Sequence, residues 1–493
     1  VLVTREQIVW PAVAGAFGLA AGLSAVAQPS IGLLLAGTAL VAIAVVRFSA
    51  AGWVCALIIY LPFEGLVTSH VPTASLVWVK YGPEAATAIV ALVAVIRHGR
   101  STWTQLGVLR IPLMAILLAW TGAAVANGIP ATTAILGFRT ELRYLPILLL
   151  LAISSTPVKD ARLVATAIGA SAIVQAALAV LEIVGGATIH HLLAQHYTVQ
   201  LGNVTLTHST VARITDVTGT MRTYNELADF LVAGWLVLVC AGTNVALPRR
   251  LRLAAVMGIP VVVLATGSRE GAAFLLLSAA LIARNRLHVP SIRIFVIAAA
   301  VLVLSLPLWA PSGSTANRSS SLVHRVAARW TVALQPSTWS GGYENNNFRL
   351  YLAENEASDV LRHSASFGWG TGSVDDPRTL QSGTNPLLKT MAGRLALASN
   401  FAYDGSWLLL LIQTGIVGLA ASLLLIGSIA WIGRLLRPWH WIGDAAIILS
   451  AGVAVVGFFA PDLQQHTLSA SYWAISGCAV AHHAAQRRQR VFR

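Results

Sequence analysis

One apolar segment after another, each close to the length needed to cross a bilayer, runs through this 493-residue chain. A helix rises about 1.5 Å per residue, so about 20 apolar residues span a hydrocarbon core roughly 30 Å thick. Segments at 8–27, 31–46, 52–66, 82–96, 111–127, 137–153, 163–185, 224–242, 252–267, 270–284, 292–309, 406–433, 441–459 and 468–483 follow this pattern. They predict an all-α fold: a polytopic integral membrane helical bundle of about fourteen spans, or twelve if the short early pairs are not separate. A transmembrane barrel is excluded, because its strands read as short alternating segments. Only 11% of the residues are charged, against about a quarter in soluble proteins.

The basic residues orient the bundle, since Lys and Arg collect in short cytoplasmic loops. With the N-terminus inside, Arg47, "RHGR" (97–100), Lys159, Arg162, "RRLR" (249–252), "RNR" (284–286), Arg434, Arg437 and the tail "RRQRVFR" all fall on one side. The net charge of +14 is then a topological signal, and no nucleic-acid partner is expected. "SAVAQPS" after the first apolar segment imitates a signal-peptidase site, but a second span follows at once, which predicts an uncleaved first helix. The expectation is a multi-pass protein of the plasma (inner) membrane with both termini cytoplasmic. Its regions are 1–134, N-terminal membrane helices; 135–309, central membrane helices; 310–405, a large extracytoplasmic loop; and 406–493, C-terminal membrane helices with a basic tail. Cys55, Cys240 and Cys478 each lie within an apolar run and read as small packing residues.

On this map a second set of charges collects at the outer face: Arg139, Glu141 and Arg143 in "GFRTELRYL", Arg213 and Arg222 before "YNELADF", Arg269 in "TGSREGA", Arg349 in "NNNFRLYLAENEA", and Asp404 in "FAYDGSW". Arginine at membrane depth costs roughly 2.5–3.5 kcal/mol and calls for a polar cavity or a partner. Local pairing, Arg143 with Glu141 and Arg269 with Glu270, accounts for any one of them. Several on one face fit a shared anion better, and guanidinium forks suit phosphate oxygens. A carboxylate beside such an anion is better placed to take a proton from an attacking hydroxyl than to bind the phosphate. The plainer role for Asp404 is as N-cap of the helix that follows. His190, His191, His196 and His208 are too loosely spaced to predict a metal site, and Asp375-Asp376 reads as a loop turn. "GWGTG" (368–372) lacks the strand and the Lys-Ser/Thr of a phosphate loop.

Four pieces of the chain, taken in order, resemble the O-antigen ligase and O-antigen polymerase superfamily of membrane glycosyltransferases (Wzy/WaaL-like). They are "GTMRTYNELADFL", "TGSREGA", "FRLYLAENEASDVLRHSASFGWGTG" and "DGSWLLLLIQTGIVG". In the last, the family pattern of His, then Asn/Ser/Gln, nine residues and Gly-x-x-Gly keeps its spacing, while Asp404-Gly405 replaces the leading pair. The resemblance covers about residues 135–435. It implies a GT-C-like bundle that transfers a glycan from a polyprenyl-(di)phosphate-linked donor to a glycan or lipid-glycan acceptor hydroxyl at the outer face, with inversion and without metal or cofactor. Arg269 and Arg349 would bind and polarise the diphosphate, helped by Arg139, Arg143, Arg213 or Arg222. Asp404 would stand as the base, with His324 or His363 next in line. The rival reading is a lipid-linked oligosaccharide flippase or other multi-pass transporter. Internal repeats would favour it, and none is visible.

Overall fold

The computed structural model describes residues 50–70, 73–193, 196–201, 204–209, 217–221, 223–285, 348–372, 405–438, 440–458 and 465–491. These are helical apart from one antiparallel hairpin, His196–Leu201 with Val204–Ser209, in which His196 faces Ser209 and Leu201 faces Val204. Among the described residues five stretches are long and apolar enough to cross a membrane: Ala50–Val67, Trp103–Ala126, Pro157–Gly186, Tyr224–Asn244 and Ser406–Leu436; Trp441–Val456 is a shorter apolar helix. The expected spans 8–27, 31–46 and 292–309 lie outside the described residues.

The helix Arg110–Ala126 shows why these segments suit lipid. One face buries Ile116, Ala119, Trp120 and Ala123, while Ile111, Leu118 and Val125, spaced seven apart, are 72%, 64% and 82% exposed. A helix apolar on both faces belongs in a bilayer, because in water its outer stripe would stay wetted. At the centre lies the helix Tyr224–Ala241, buried on all sides and packed against Pro157–Leu193, Arg249–Thr266, Arg269–Asn285, Trp441–Val456 and His466–Val491. Small residues bring these helices together. A Cβ on Gly234 would stand 2.2 Å from the Cβ of Ala172, the close backbone approach by which helices associate in lipid.

Thr223 starts the central helix. Its side chain accepts a hydrogen bond from the backbone N–H of Glu226 at 3.1 Å, the acceptor half of a Thr-x-x-Glu capping box. Thr223→Ala is expected to cost about 1 kcal/mol, read as an earlier thermal unfolding midpoint of the detergent-purified protein.

Several spans differ from their sequence reading. The segment 137–153 is not one helix: Ala131–Glu141 ends, the chain turns at Leu142–Tyr144, and Leu145–Ala152 follows. Glu141 is buried and Arg139 and Arg143 reach Glu84 on another helix, which an apolar-run reading does not register. Thr73–Leu106, Pro157–Leu193 and Ser406–Leu436 are each broken at a glycine, Gly99, Gly186 and Gly415.

Arg97, Arg249, Arg250, Arg284, Arg434, Arg437, Arg487 and Arg488 are exposed, and Arg437 pairs with Asp444 at 3.2 Å. There His440 accepts from the N–H of Ile442 at 3.3 Å, and burial pushes its imidazole below its ordinary value, favouring the neutral ring that accepting requires.

Candidate functional site

Arg139 and Arg143 converge on one buried carboxylate that local pairing does not anticipate. Arg139 Nε lies 2.5 Å from Glu84 Oε2, and Arg143 Nε lies 3.0 Å from Glu84 Oε1. The expected Arg143–Glu141 pair is therefore replaced, since residues two apart do not face each other on a helical turn. Glu141 is fully buried and accepts from Gln413 Nε2 at 3.2 Å. Gln413 Oε1 in turn accepts from the N–H of Gly372 at 2.7 Å.

That last bond belongs to a docked turn, Ser364–Gly372, which follows the loop helix Phe348–His363. At Gly415 (φ 66°, ψ −164°) the helix Ser406–Leu436 opens, and the turn fills the opening. Ile416 N–H donates to Ala365 O at 2.8 Å, Val417 N–H to Ser366 O at 3.4 Å, and Trp369 N–H to Ile412 O at 2.6 Å. Thr371 Oγ1 donates to Trp120 O at 2.8 Å, and Asn127 Nδ2 to Gly368 O at 3.3 Å. Broken backbone at membrane depth must find such partners within the protein. "GWGTG" and "QTGIVG" are thus two halves of one joint.

A second arm of the network starts from Tyr144, whose ring meets that of His466 edge-on at 6.2 Å. His466 Nδ1 is in direct hydrogen-bonding contact with Glu64 Oε2, and both residues are buried. Next to His466, Gln465 Nε2 donates to Asp229 Oδ2 at 3.1 Å, and Glu270 and Glu226 are near enough to Asp229 for their charges to act on it. The turn Thr218–Met221 is held from below by Glu182 Oε2, which accepts from Thr218 N–H at 3.0 Å and Gly219 N–H at 2.7 Å. Gln175 Nε2 donates to Thr220 Oγ1 at 2.7 Å, and that hydroxyl donates to Pro62 O at 2.7 Å. Leu61, Pro62, Glu64, Gly65, Thr220, Met221, Glu226 and His466 line a cavity of about 10 Å³, room for about one water molecule.

Arg269 is the exposed first residue of the helix Arg269–Asn285, and Ser268 Oγ accepts from the N–H of Gly271 at 3.0 Å. Its side chain makes no ion pair with Glu270, its sequence neighbour, and no hydrogen bond to a described residue. Gly271 packs against Ala228, which places this helix start beside Asp229. Arg349 lies in the first turn of the loop helix, which packs against Ser406–Leu436. His363 is exposed and pairs with Asp359 at 3.0 Å. Asp404, Arg213, Arg222, His324, Asp375 and Asp376 lie outside the described residues. The capping position of Ser406–Leu436 belongs to Gly405, not Asp404. Among the described residues no group of three His, Cys, Asp or Glu converges to hold a metal ion.

Glu64, Glu84, Glu182 and His466 escaped the sequence reading, although a signal was present. Each of the first three is a lone acid inside or at the edge of an apolar run, where a charge is costly unless it has a partner or a task. No protein-family model matches this chain, and no curated protein matches it with significance.

Proposed function

We propose that this polar end is the site of a membrane glycosyltransferase that transfers a glycan from a polyprenyl-(di)phosphate-linked donor to a hydroxyl acceptor. The observation that carries the reading is Arg269. A cation at a helix N-terminus works against the helix dipole, and this one is exposed and bonded to no described residue. Guanidinium and helix N-terminus together make a phosphate site. Arg349, carried on the loop helix docked at the same joint, and Arg139 and Arg143 beside Glu84 supply further charge. The resemblance to O-antigen ligases and polymerases assigns the base to Asp404, immediately before Gly405. In this reading the bundle has about fourteen spans, a GT-C-like architecture and an extracytoplasmic site in the plasma (inner) membrane.

A transporter of lipid-linked glycans is the second reading, and the break at Gly415 favours it, because discontinuous helices are a transporter feature. Against it, the break lies about two and a half turns from the helix start and is filled by the chain's own backbone.

The test is binding of polyprenyl diphosphate to the protein in nanodiscs. Arg269→Ala and Arg349→Ala are each expected to weaken binding about tenfold or more, the worth of one charge-assisted contact. Unchanged binding in both would remove the phosphate site and, with it, the transferase reading.

A further inference from the structure

Two more guanidiniums are drawn together far from the site, at the turn where the helix Thr73–Leu106 gives way to Arg110–Ala126. Arg110 lies over the ring of Trp103, its Cζ 5.7 Å from the ring centre, and its Nε is buried without a hydrogen-bond partner. Arg487, on the helix His466–Val491, reaches the same turn. Its Nη1 stands 3.7 Å from where a Cβ on Gly107 would be. Gly107 has φ +54°, so a glycine both makes the turn and leaves the guanidinium its room. Among the described residues neither arginine makes a hydrogen bond or an ion pair. Arg139 and Arg143, by contrast, share Glu84. Two cations held at one turn without an acid repel each other, and a ring face offsets only part of one charge. An anion is what this turn lacks.

The position of the turn says which anion. Trp103 opens the apolar stretch Trp103–Ala126 and is 46% exposed. An exposed tryptophan at the end of a span marks the level of the lipid headgroups. Arg110 comes about two turns further in, a depth from which a long side chain reaches back to that level. It begins the helix whose Trp120 carries the docked turn of the site, about 15 Å away at 1.5 Å per residue. On the orientation expected from the basic loops, both "RHGR" and the C-terminal tail are cytoplasmic, and the approach of Arg487 to Gly107 joins those two regions. Basic clusters on that side of a bundle attract the anionic lipids of the inner leaflet.

We propose that Trp103, Arg110 and Arg487 form a binding site for the headgroup of an anionic phospholipid from the cytoplasmic leaflet. The guanidiniums donate to the phosphate oxygens, and Trp103 packs beside the glycerol and the upper acyl chains. The bound lipid ties the last helix to the start of the span Trp103–Ala126. It stands apart from the outer arginines, so it does not depend on the transferase reading.

The experiment uses the full chain in detergent, titrated with phosphatidylglycerol or phosphatidylcholine of the same acyl chains, with bound lipids counted by native mass spectrometry. The wild type is expected to bind phosphatidylglycerol about tenfold more tightly, the worth of one charge-assisted contact. In Arg110→Gln and in Arg487→Gln the preference should fall to about twofold or less, what a diffuse surface field leaves. Arg488→Gln and Arg249→Gln remove the same charge from other exposed positions and should keep the preference. Arg487 is exposed, so its variant carries the test even if Arg110→Gln fails to fold. A wild type without preference overturns the proposal. So does an equal loss in Arg488→Gln or Arg249→Gln, which would mean a diffuse basic surface. Inorganic phosphate binding as tightly as phosphatidylglycerol would make this a site for free anions and overturn the lipid. Tighter binding of polyprenyl diphosphate at this turn would overturn it too, giving the turn to the glycan carrier.

Discussion

Glu84→Ala is expected to destabilise the bundle by about 3–5 kcal/mol, because it takes the carboxylate from the buried Arg143 guanidinium and one partner from Arg139. Arg143 is only 8% exposed and Arg139 23%, and both side chains meet the same carboxylate. Losing one arginine leaves Glu84 with the other, so Arg139→Ala should cost clearly less than Glu84→Ala. The buried thiols provide the readout. Cys55, Cys240 and Cys478 are free, buried and on three different helices, so a thiol-reactive dye labels them as the bundle opens. An unfolding midpoint for Glu84→Ala equal to the wild type's would mean that the arginines find other partners, and that Glu84 does not organise this end.

Gly415→Val should be at least as damaging, for a different reason. A Cβ at this position would lie 2.4 Å from Ser366 O and 2.6 Å from Ala365 O, and φ is +66°. A β-branched side chain there pays about 1–3 kcal/mol in backbone strain, and it pushes out the carbonyls that receive Ile416 and Val417. The combined loss is about 3–6 kcal/mol once overpacking and two hydrogen bonds are added. The same helix supplies the control. Gly427 has nothing within 4 Å of a built Cβ, so Gly427→Ala should be neutral or stabilising by up to about 1 kcal/mol. Equal midpoints for the two variants would show that the turn does not depend on the helix break.

Much of the membrane bundle was legible because hydropathy over about 20 residues is a coarse quantity that tertiary packing rarely reverses. Tyr224–Ala241, Ser406–Leu436 and Trp441–Val456 lie where their apolar runs placed them. The polar joints were not legible, because they depend on which helices meet. Arg143 has Glu141 two residues away and Glu84 fifty-nine residues away, yet only the distant acid faces it. Gly415 and Gly418 stood out as a spacing, but nothing local could say that the partner of that spacing was "SASFGWGTG". The arginines were visible as anomalies of side. The buried acids that share their end were hidden inside apolar runs, where a single carboxylate scarcely changes a hydropathy average.

The filled break also sets an order of assembly. Ala365 and Ser366 precede Ile416 and Val417 by about fifty residues in the chain, so a ribosome has already delivered the acceptors when the donors emerge. The helix that needs outside help to satisfy its backbone thus follows the segment that supplies it. Were the order reversed, two amide groups would wait in hydrocarbon with nothing to receive them.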